Sequence, residues 1–465
     1  MKRAHPVLLA LGVLSLFLGV ASVWPVTSAA ALLQAAGHTV FLFAALVIFL
    51  WILPKRQGLP VQIFVAMIAG VFAGWLATAL GDEAFVTEYL GIFGKVFILL
   101  LTVVILPLIF VSVLCGVAGI GDVRKLGTLG AKAMGYYLVT TAIAVLIGMT
   151  MVNVVRPGVG REALREEAPI EAAAEQSVSF GMRIQNQVLP TIIQNPIMAG
   201  QSPIVVIFFA ILLGAALATL GSEGAAALGV FRSLDRAFIT IVMWVMALAP
   251  IGVFALMARV ISELGLAYVL TLAKYCFTVL FGLGAHFCVL TFVICPLLGR
   301  VSPRRFLRGM IPAFEVSFST SSSSATLPVT IRCVSKRVGA DENISSFMLP
   351  IGATINMDGT ALYVSVASLF VAQVYGLHLG LQAQLMVFLT AVVVSVGTAG
   401  IPGASIGLIS IILSSAGIPV EGIGIVVGVD RILDMSRTVV NITGDSVGAV
   451  VVSRSEGVMG EPSPE

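Results

Sequence analysis

The chain has 465 residues, of which 58% are hydrophobic and only 11% are charged. A soluble domain averages about 25% charged residues, so these few polar groups cannot cover one globular core, and we predict a polytopic membrane protein. The formal net charge of +3, with no basic patch that interleaves with aromatic residues, argues against a nucleic-acid partner.

The first 56 residues contain two apolar runs. Lys2 and Arg3 precede the first run, and the second ends at Pro54, Lys55 and Arg56. A cleaved signal peptide is one interpretation, but the first run is long for a signal, so an uncleaved membrane helix is favoured. Residues 1–56 are therefore predicted to form an extra pair of hydrophobic helices whose two basic flanks are cytoplasmic.

Residues 57–300 are predicted to contain six spans of about 20 or more residues. Most of the bases gather in every second loop, and an excess of lysine and arginine marks a loop as cytoplasmic. Gly81–Glu88 is predicted to be external, Arg156–Gln201 an external excursion, and Ser222–Asp235 a cytoplasmic turn. The predicted spans are Val61–Leu80, Leu90–Ile120, Ala133–Val155, Pro203–Leu220, Ala237–Val260 and Leu266–Leu298.

Residues 301–454 follow a different pattern, in which Ser, Gly and Pro interrupt the apolar runs. The pattern predicts a hairpin at 310–336, a broken span at 341–371, a second hairpin at 385–415 and a helix at 421–452. Irregular backbone at membrane depth survives only where protein buries it or where it lines a cavity. Matching broken segments therefore indicate a transporter site. The polar tail, 455–465, is predicted to be cytoplasmic and disordered.

A helix near the C-terminus, DRILDMSRTVVNITGD at 430–445, carries a polar stripe. At about 100° per residue, most of the stripe falls within an arc of roughly 80°. Charges at this depth are costly unless they are paired, solvated or in use. With three acids and one base, a cation and substrate site is favoured over an internal ladder of ion pairs. The stripe consists of Asp430, Asp434, Arg437, Thr438, Asn441 and Asp445.

A second polar cluster interrupts the span at 341–371. Thr354, Asn356 and Asp358, with freed backbone carbonyls, offer the oxygen ligands that a hard cation prefers. A monovalent ion is favoured, and a kink satisfied by water is the alternative. Serines of 317–330 can bind a carboxylate at a hairpin tip or hydrogen-bond within their own helix.

The sequence lacks the parts of an enzyme. It has no glycine-rich phosphate loop with a Lys-Ser/Thr, and no serine has a histidine in a plausible motif, since His286 is isolated. We therefore predict no enzyme activity and favour transport driven by an ion gradient.

Four motifs in the chain resemble those of the glutamate/aspartate transporter family, the dicarboxylate/amino acid:cation symporters. They are SSSSATLPVT, NMDGTALY, GTAGIPGAS and DRILDMSRTVVNITGD, and the resemblance covers about residues 58–455. It implies an all-α eight-span core with two re-entrant hairpins, broken helices and inverted repeats. It also implies a homotrimer with an elevator movement, in the plasma (inner) membrane.

The resemblance assigns a role to each substrate residue. Asp434 is expected to accept the substrate's ammonium, and Asn441 its α-carboxylate with backbone at Ser322 and Ser323. Arg437 and Thr360 are expected to hold the side-chain carboxylate, because a guanidinium meets a carboxylate with two parallel hydrogen bonds. The predicted substrate-binding set also includes Gly403 and Thr438.

The resemblance also implies three groups of ligands for co-transported Na⁺. The first is Asp445, Asn441, Asn356 and Gly352. The second is Thr354, Ser395, Val396 and Thr398. The third is Tyr137, Thr140, Thr141, Asn356 and Asp358, although a Tyr/Thr face by itself is typical of contacts between helices.

These assignments predict import of L-aspartate or L-glutamate with Na⁺. Asp434 would repel a dicarboxylate that lacks an ammonium, and relatives that carry neutral amino acids replace the arginine that is Arg437 here. The hairpin at 385–415, with Gly397, Gly400 and Gly403, is predicted to be the external gate. A proton-coupled C4-dicarboxylate symporter is the nearest alternative, and an anion channel or a non-transporting sensor is an alternative of another class.

Overall fold

A computed structural model describes residues 59–81, 83–119, 123–160, 203–395, 400 and 403–462. The predicted N-terminal helix pair at 1–56 and most of the predicted excursion at Arg156–Gln201 lie outside the described residues.

The first half of the described chain is a series of long helices. A short helix, Glu83–Phe85, and a π-helical turn, Val86–Leu90, precede the second of them. The seventh continues as a π-helical turn, Val289–Ile294, and a short helix, Cys295–Leu297. The long helices are α1 (Leu59–Leu80), α2 (Gly91–Gly119), α3 (Val123–Val155), α4 (Pro203–Leu220), α5 (Ala225–Met246), α6 (Ala249–Leu264) and α7 (Tyr268–Cys288).

The second half alternates shorter helices with breaks. A π-helical turn, Cys333–Val338, follows the second of these helices, and a 3₁₀ turn, Val420–Gly422, precedes the last. The helices are α8 (Pro303–Thr320), α9 (Ser323–Arg332), α10 (Glu342–Ile355), α11 (Asp358–Val374), α12 (Leu381–Ser395), α13 (Ala404–Ser415) and α14 (Ile423–Ser455).

The chain divides into two compact units, and the first comprises Met1–Leu99 and Ala247–Val269. In its described part α1 packs along α6. Small side chains form much of this contact, with Ala66, Ala73 and Ala258 buried beside Phe85 and Phe254. Small residues let two helices approach closely, which is the usual way that helices associate in lipid.

The second unit comprises Leu100–Met246 and Leu270–Glu465, and α14 runs through its interior. Most residues of α14 are buried, and the helix packs against α3, α8, α10 and α11. A helix that is buried on nearly all sides can hold polar groups only if neighbouring elements satisfy them. The interrupted helices supply those partners.

Three pairs of helices in the second unit are interrupted. Hairpin 1 is α8 and α9, which meet at Ser321, a residue in the left-handed conformation with φ of 51°. Hairpin 2 is α12 and α13. The broken span is α10 and α11, which are separated only by Asn356 and Met357. Both predicted hairpins and the predicted broken span are therefore present, with bounds a few residues longer than expected.

Five helices of the described chain are long and apolar enough to cross a membrane, or six if α5 and α6 form one broken span. They include α3 and the combined segment Glu342–Val374, whose apolar window is wholly buried. The described elements are helical, and the predicted class, an all-α polytopic membrane protein, is confirmed.

The prediction of a cytoplasmic turn at Ser222–Asp235 is wrong. The turn covers only residues 221–224, and α5 already begins at Ala225, so Arg232 and Asp235 lie on a helix. Their charges suggested a loop, although the charges occupy one side of an amphipathic helix. The predicted single span Ala237–Val260 is also two helices, because Pro250 near the start of α6 has no amide hydrogen to continue α5.

The prediction of a disordered tail is wrong for the residues up to 462. Lys132 Nζ lies 2.6 Å from Glu456 Oε1. Gly460 donates its amide to the Gly339 carbonyl at 2.8 Å, and Arg305 Nη2 donates to the Gly460 carbonyl at 2.9 Å. These contacts hold the tail against α3 and against the base of hairpin 1.

Candidate functional site

The tips of the two hairpins meet beside α14. Ser322 is the N-cap of α9, where its Oγ accepts the Ala325 amide at 3.1 Å. The same Oγ donates to the Gly400 carbonyl at 2.6 Å, and the Ser324 amide donates to that carbonyl at 3.4 Å. One carbonyl of hairpin 2 is thus held by the tip of hairpin 1.

The hairpin tips and α14 enclose a small cavity. Its volume of about 10 Å³ leaves room for roughly one water molecule and none for an amino acid. The side chains of the site therefore have to move apart before a substrate can enter. The lining residues are Ser321, Ser323, Met357, Thr360, Gly400, Ala404, Ser405, Asp434, Thr438 and Asn441.

Gly403 is the N-cap residue of α13, the second helix of hairpin 2. It precedes α13 in the left-handed conformation, with φ of 80°, and its amide lies 3.4 Å from Asp434 Oδ2. A Cβ at this position would lie 3.0 Å from Met246 Sδ. Glycine fits here because it adopts positive φ without steric cost and has no Cβ.

The N-terminal half of the stripe contains a network of ion pairs. Arg437 Nη2 donates to Asp434 Oδ1 at 2.7 Å, and Arg437 Nη1 lies 3.0 Å from Asp430 Oδ1. The guanidinium also lies 3.8 Å from the centroid of the Tyr363 ring, which stabilises a buried cation. The internal ladder of ion pairs, which the sequence favoured less than a cation and substrate site, is therefore present in this half of α14.

The same half of α14 holds a second base that the predicted stripe omitted. Arg431 is only 7% exposed, and its Nη1 lies 3.6 Å from Asp434 Oδ2. Residue 431 is about 100° around the helix from Asp430, so it fell outside the predicted arc. The expected excess of three acids over one base is therefore wrong, because Asp430 and Asp434 are matched by Arg431 and Arg437.

Asn441 joins α14 to the start of α11. Its Oδ1 accepts the amides of Gly359 and Thr360 at 2.8 and 3.4 Å. Its Nδ2 donates to Thr360 Oγ1 at 3.3 Å and lies 3.2 Å from Met357 Sδ. These hydrogen bonds join the broken span to α14 at Asn441, which also lines the small cavity.

A cluster of oxygen atoms lies beyond Asn441. Asp358 Oδ1 accepts from Thr141 Oγ1 at 2.8 Å and from Thr140 Oγ1 at 3.4 Å. Thr140 Oγ1 also lies 3.2 Å from Asn356 Oδ1, and Asn356 Nδ2 donates to Asp445 Oδ1 at 3.0 Å. The structure therefore brings four members of the third predicted group together and joins them to Asp445 of the first, while the hydroxyl of the fifth member, Tyr137, donates to the Met348 carbonyl at 2.8 Å.

The two carboxylates of this cluster have no strong base beside them. Asp358 is fully buried and Asp445 is 2% exposed, and among the described residues neither forms an ion pair with lysine or arginine. Gly352 makes room for the cluster, since a Cβ there would collide with the Asp445 carboxylate and lie 3.0 Å from the Tyr137 hydroxyl. Buried carboxylates without a lysine or arginine partner favour a bound cation.

His286 is a member of the cluster that the sequence did not indicate. It is fully buried on α7, and its Nε2 lies 3.0 Å from Asp358 Oδ2. It was predicted to be isolated from any serine motif, and its contact here is with a carboxylate. The signal was a lone polar residue within an apolar span, which requires a partner at membrane depth.

The second predicted sodium group is only partly described. The Thr354 hydroxyl donates to the Ile351 carbonyl at 3.0 Å, and the Ser395 hydroxyl to the Val392 carbonyl at 2.9 Å. Both hydrogen bonds stay within their own helices. Val396 and Thr398 lie outside the described residues, as does Gly397.

Comparison with known proteins gives the family. Residues 59–455 match the model of the sodium:dicarboxylate symporter family. The chain belongs to this family. A proton/sodium-glutamate symport protein of Bacillus subtilis is 35% identical over 88% of this chain and 95% of its own length.

Other relatives of this family member differ in substrate and coupling ion. A proton/glutamate-aspartate symporter of Escherichia coli is 33% identical over 86% of this chain and 93% of its own length. A neutral amino acid transporter A of Homo sapiens is 31% identical over 86% of this chain and 82% of its own length. Membership of the family therefore establishes a multi-pass transporter. Its substrate and coupling ion have to be inferred from the residues of the site.

A larger cavity of this family member lies on the other side of the hairpin tips. Its volume is about 280 Å³, and Ser324, Gly400 and Thr354 form part of its wall. Ser112 Oγ donates to Asp235 Oδ1 at 2.5 Å in the same wall. Gly400 lines both cavities, so the hydrogen bond from Ser322 to its carbonyl separates the small cavity from the large one.

Proposed function

We propose that the chain imports an acidic L-amino acid, aspartate or glutamate, together with Na⁺. The protein works as a homotrimer in the plasma (inner) membrane with cytoplasmic termini. Hairpin 1, the broken span, hairpin 2 and α14 carry the substrate and ions, and they move in an elevator cycle.

The distribution of buried charge along α14 and its partners carries the proposal. In the N-terminal half of the stripe, two acids are matched by two arginines. In the C-terminal half, Asp445 and Asp358 have no lysine or arginine partner among the described residues, and the one titratable side chain that contacts Asp358 there is His286. A neutral half suits an organic substrate that brings its own charges, and an anionic half demands inorganic cations.

Substrate binding uses groups that line the small cavity, namely Ser323, Thr360, Asp434, Thr438 and Asn441, together with Ser322, Gly403 and Arg437, which contact or adjoin them. Asp434 accepts the ammonium, and the Asn441 amide and the backbone at Ser322 and Ser323 hold the α-carboxylate. Arg437 and Thr360 hold the side-chain carboxylate, and Gly403 and Thr438 complete the substrate-binding set. Arg437 suits this role because its fork can exchange part of its contact with Asp430 and Asp434 for a bidentate carboxylate.

Sodium binding uses the oxygen cluster and its neighbours. Hard monovalent cations take carboxylate, amide, hydroxyl and carbonyl oxygens. The three proposed groups are Asp445, Asn441, Asn356 and Gly352; then Thr354, Ser395, Val396 and Thr398; then Tyr137, Thr140, Thr141, Asn356 and Asp358.

Coupling follows from the shared side chains. Asn441 contacts the start of α11 and also lines the small cavity, and it belongs to both the substrate set and the first sodium group. Occupation of either site orders Asn441 for the other, so substrate and sodium bind with positive cooperativity. Hairpin 2 is the external gate, its flexibility supplied by Gly397, Gly400 and Gly403, and it closes over both before the movement.

Uptake of labelled L-aspartate into proteoliposomes tests the proposal. An inward sodium gradient should concentrate the label, and its collapse should release it. Proton-driven succinate uptake without sodium dependence would support the C4-dicarboxylate alternative instead. Passive conductance without concentration of any solute would support a channel, and binding without uptake would support a sensor.

A further inference from the structure

Asp434 has more positive neighbours than the proposed ammonium site requires. Arg437 binds Oδ1, while the Gly403 amide at the start of α13 and Arg431 Nη1 lie 3.4 and 3.6 Å from Oδ2. The amides at a helix N-terminus carry partial positive charge. Oδ2, the oxygen left for an ammonium, therefore already faces a cation.

Arg431 is bound loosely for a buried guanidinium. Its side chain is 8% exposed, and its Nε and Nη1 have no hydrogen-bond acceptor among the described residues. A buried guanidinium ordinarily pairs through hydrogen bonds of about 2.7–2.9 Å, whereas this contact is longer. Arg431 therefore acts on Asp434 mainly through charge, and its flexible stem can carry the guanidinium away from Oδ2.

We propose that Arg431 is a built-in counter-cation of Asp434 and sets how strictly the site requires an ammonium group on its substrate. This inference rests on the proposed function. Without Arg431, a substrate that lacks an ammonium would place its carboxylates against Asp434 while competing with it for Arg437, its remaining cation. With Arg431, Asp434 is neutralised, so a C4-dicarboxylate is tolerated as a competing ligand. Arg431 is a positioning residue, since it does not line the small cavity.

The sign of the effect is opposite for the two ligand classes. An ammonium beside Asp434 is repelled by Arg431, so loss of the arginine should tighten aspartate binding. Succinate has no ammonium and carries one more negative charge, so loss of the arginine should weaken it. The ratio of the succinate inhibition constant to the aspartate dissociation constant isolates this difference, because both ligands share their carboxylates.

The test is displacement of labelled L-aspartate by succinate from the purified full-length chain at saturating sodium. In the wild type, succinate should compete. Arg431→Gln and Arg431→Met should each raise the ratio about tenfold, which corresponds to about 1.4 kcal/mol. Arg431→Lys, which keeps the charge, should leave the ratio near the wild-type value. Arg454→Gln, on the same helix but distant in sequence, is the matched control.

Two results would overturn the inference. One is a wild-type chain from which succinate displaces no aspartate, and the other is a ratio that neither neutral variant raises. The two neutral variants differ in polarity, so a folding defect in one leaves the other to decide. A wild-type chain that binds no acidic amino acid would contradict the proposed function itself, which separates that failure from the failure of this inference.

Discussion

Asn356 donates a hydrogen bond from Nδ2 to Oδ1 of Asp445 at 3.0 Å, and so joins the break in the α10–α11 span to α14. The amide contacts only one oxygen of a carboxylate that is almost fully buried. One neutral hydrogen bond does not compensate a buried negative charge. The negative charge of Asp445 that this hydrogen bond leaves uncompensated is the physical reason to propose a sodium ion at this break.

Asp445→Asn should therefore weaken sodium binding while leaving the substrate groups intact. We expect the sodium concentration for half-maximal aspartate binding to rise at least about tenfold, a change of about 1.4 kcal/mol. Aspartate affinity should largely recover at high sodium. Glu456→Gln, a change of an exposed carboxylate at the end of the same helix, is the control. An unchanged sodium requirement in Asp445→Asn would remove this residue from the ion site.

Arg437→Cys should shift the preference from acidic to neutral amino acids. The change removes the guanidinium that pairs with both Asp430 and Asp434 among the described residues, and a side-chain carboxylate then loses the cation proposed to bind it. Competition by L-aspartate and by L-serine against a labelled substrate measures the shift. Unaltered aspartate affinity in this variant would refute the role of Arg437.

The folding of Arg437→Cys needs its own measurement. Removal of one partner from a buried ion pair typically destabilises by about 3–5 kcal/mol. Thermal unfolding in detergent therefore accompanies the competition assay. Arg454→Cys on the same helix controls for the introduced thiol.

Ser322→Ala should loosen the contact between the hairpin tips. It removes the hydrogen bond to the Gly400 carbonyl and the N-cap of α9, and such a cap contributes about 0.5–2 kcal/mol. We expect faster dissociation of aspartate, measured by dilution from the sodium-loaded complex. Ser319→Ala, whose hydroxyl bonds within its own helix, should dissociate at the wild-type rate. Equal rates for both variants would argue against a closed gate at these tips.

Gly352→Ala should damage the ion site through sterics alone. The added methyl collides with the Asp445 carboxylate and crowds the Tyr137 hydroxyl, and overpacking of this kind costs about 1–3 kcal/mol. We expect lower thermal stability and weaker sodium binding together. Gly135→Ala is the matched control, because no atom lies within 4 Å of its added Cβ, and it should be neutral or slightly stabilising. Equal sodium affinity in both variants would contradict the assignment.

The sequence predicted those parts of the site that lie along one helix face or within one break. Asp434, Arg437, Asn441 and Asp445 repeat at helical spacing, and their cost in lipid marks them as functional. Likewise Asp358 stands out because it follows a break inside an apolar span. Helical periodicity and hydropathy carry this information locally, so the hairpins and the broken span were also found.

Other parts of the site depend on contacts that no local pattern encodes. His286 reaches Asp358 from another span, and their pairing is visible only after the helices pack. Arg431 lies off the predicted arc, yet its long side chain reaches back to Asp434. The sequence predicted a turn at the start of α5 because its charges are typical of a loop. The prediction did not consider that these charges lie on one side of a helix.

The proposed coupling between substrate and sodium is tested most directly by titration of L-aspartate binding at a series of sodium concentrations, with ionic strength held constant by choline. Linkage requires that the dissociation constant of aspartate fall as sodium rises, steeply enough to indicate more than one ion. The account predicts this steep dependence in the wild type. Tight aspartate binding that stays the same when choline replaces all sodium would contradict it.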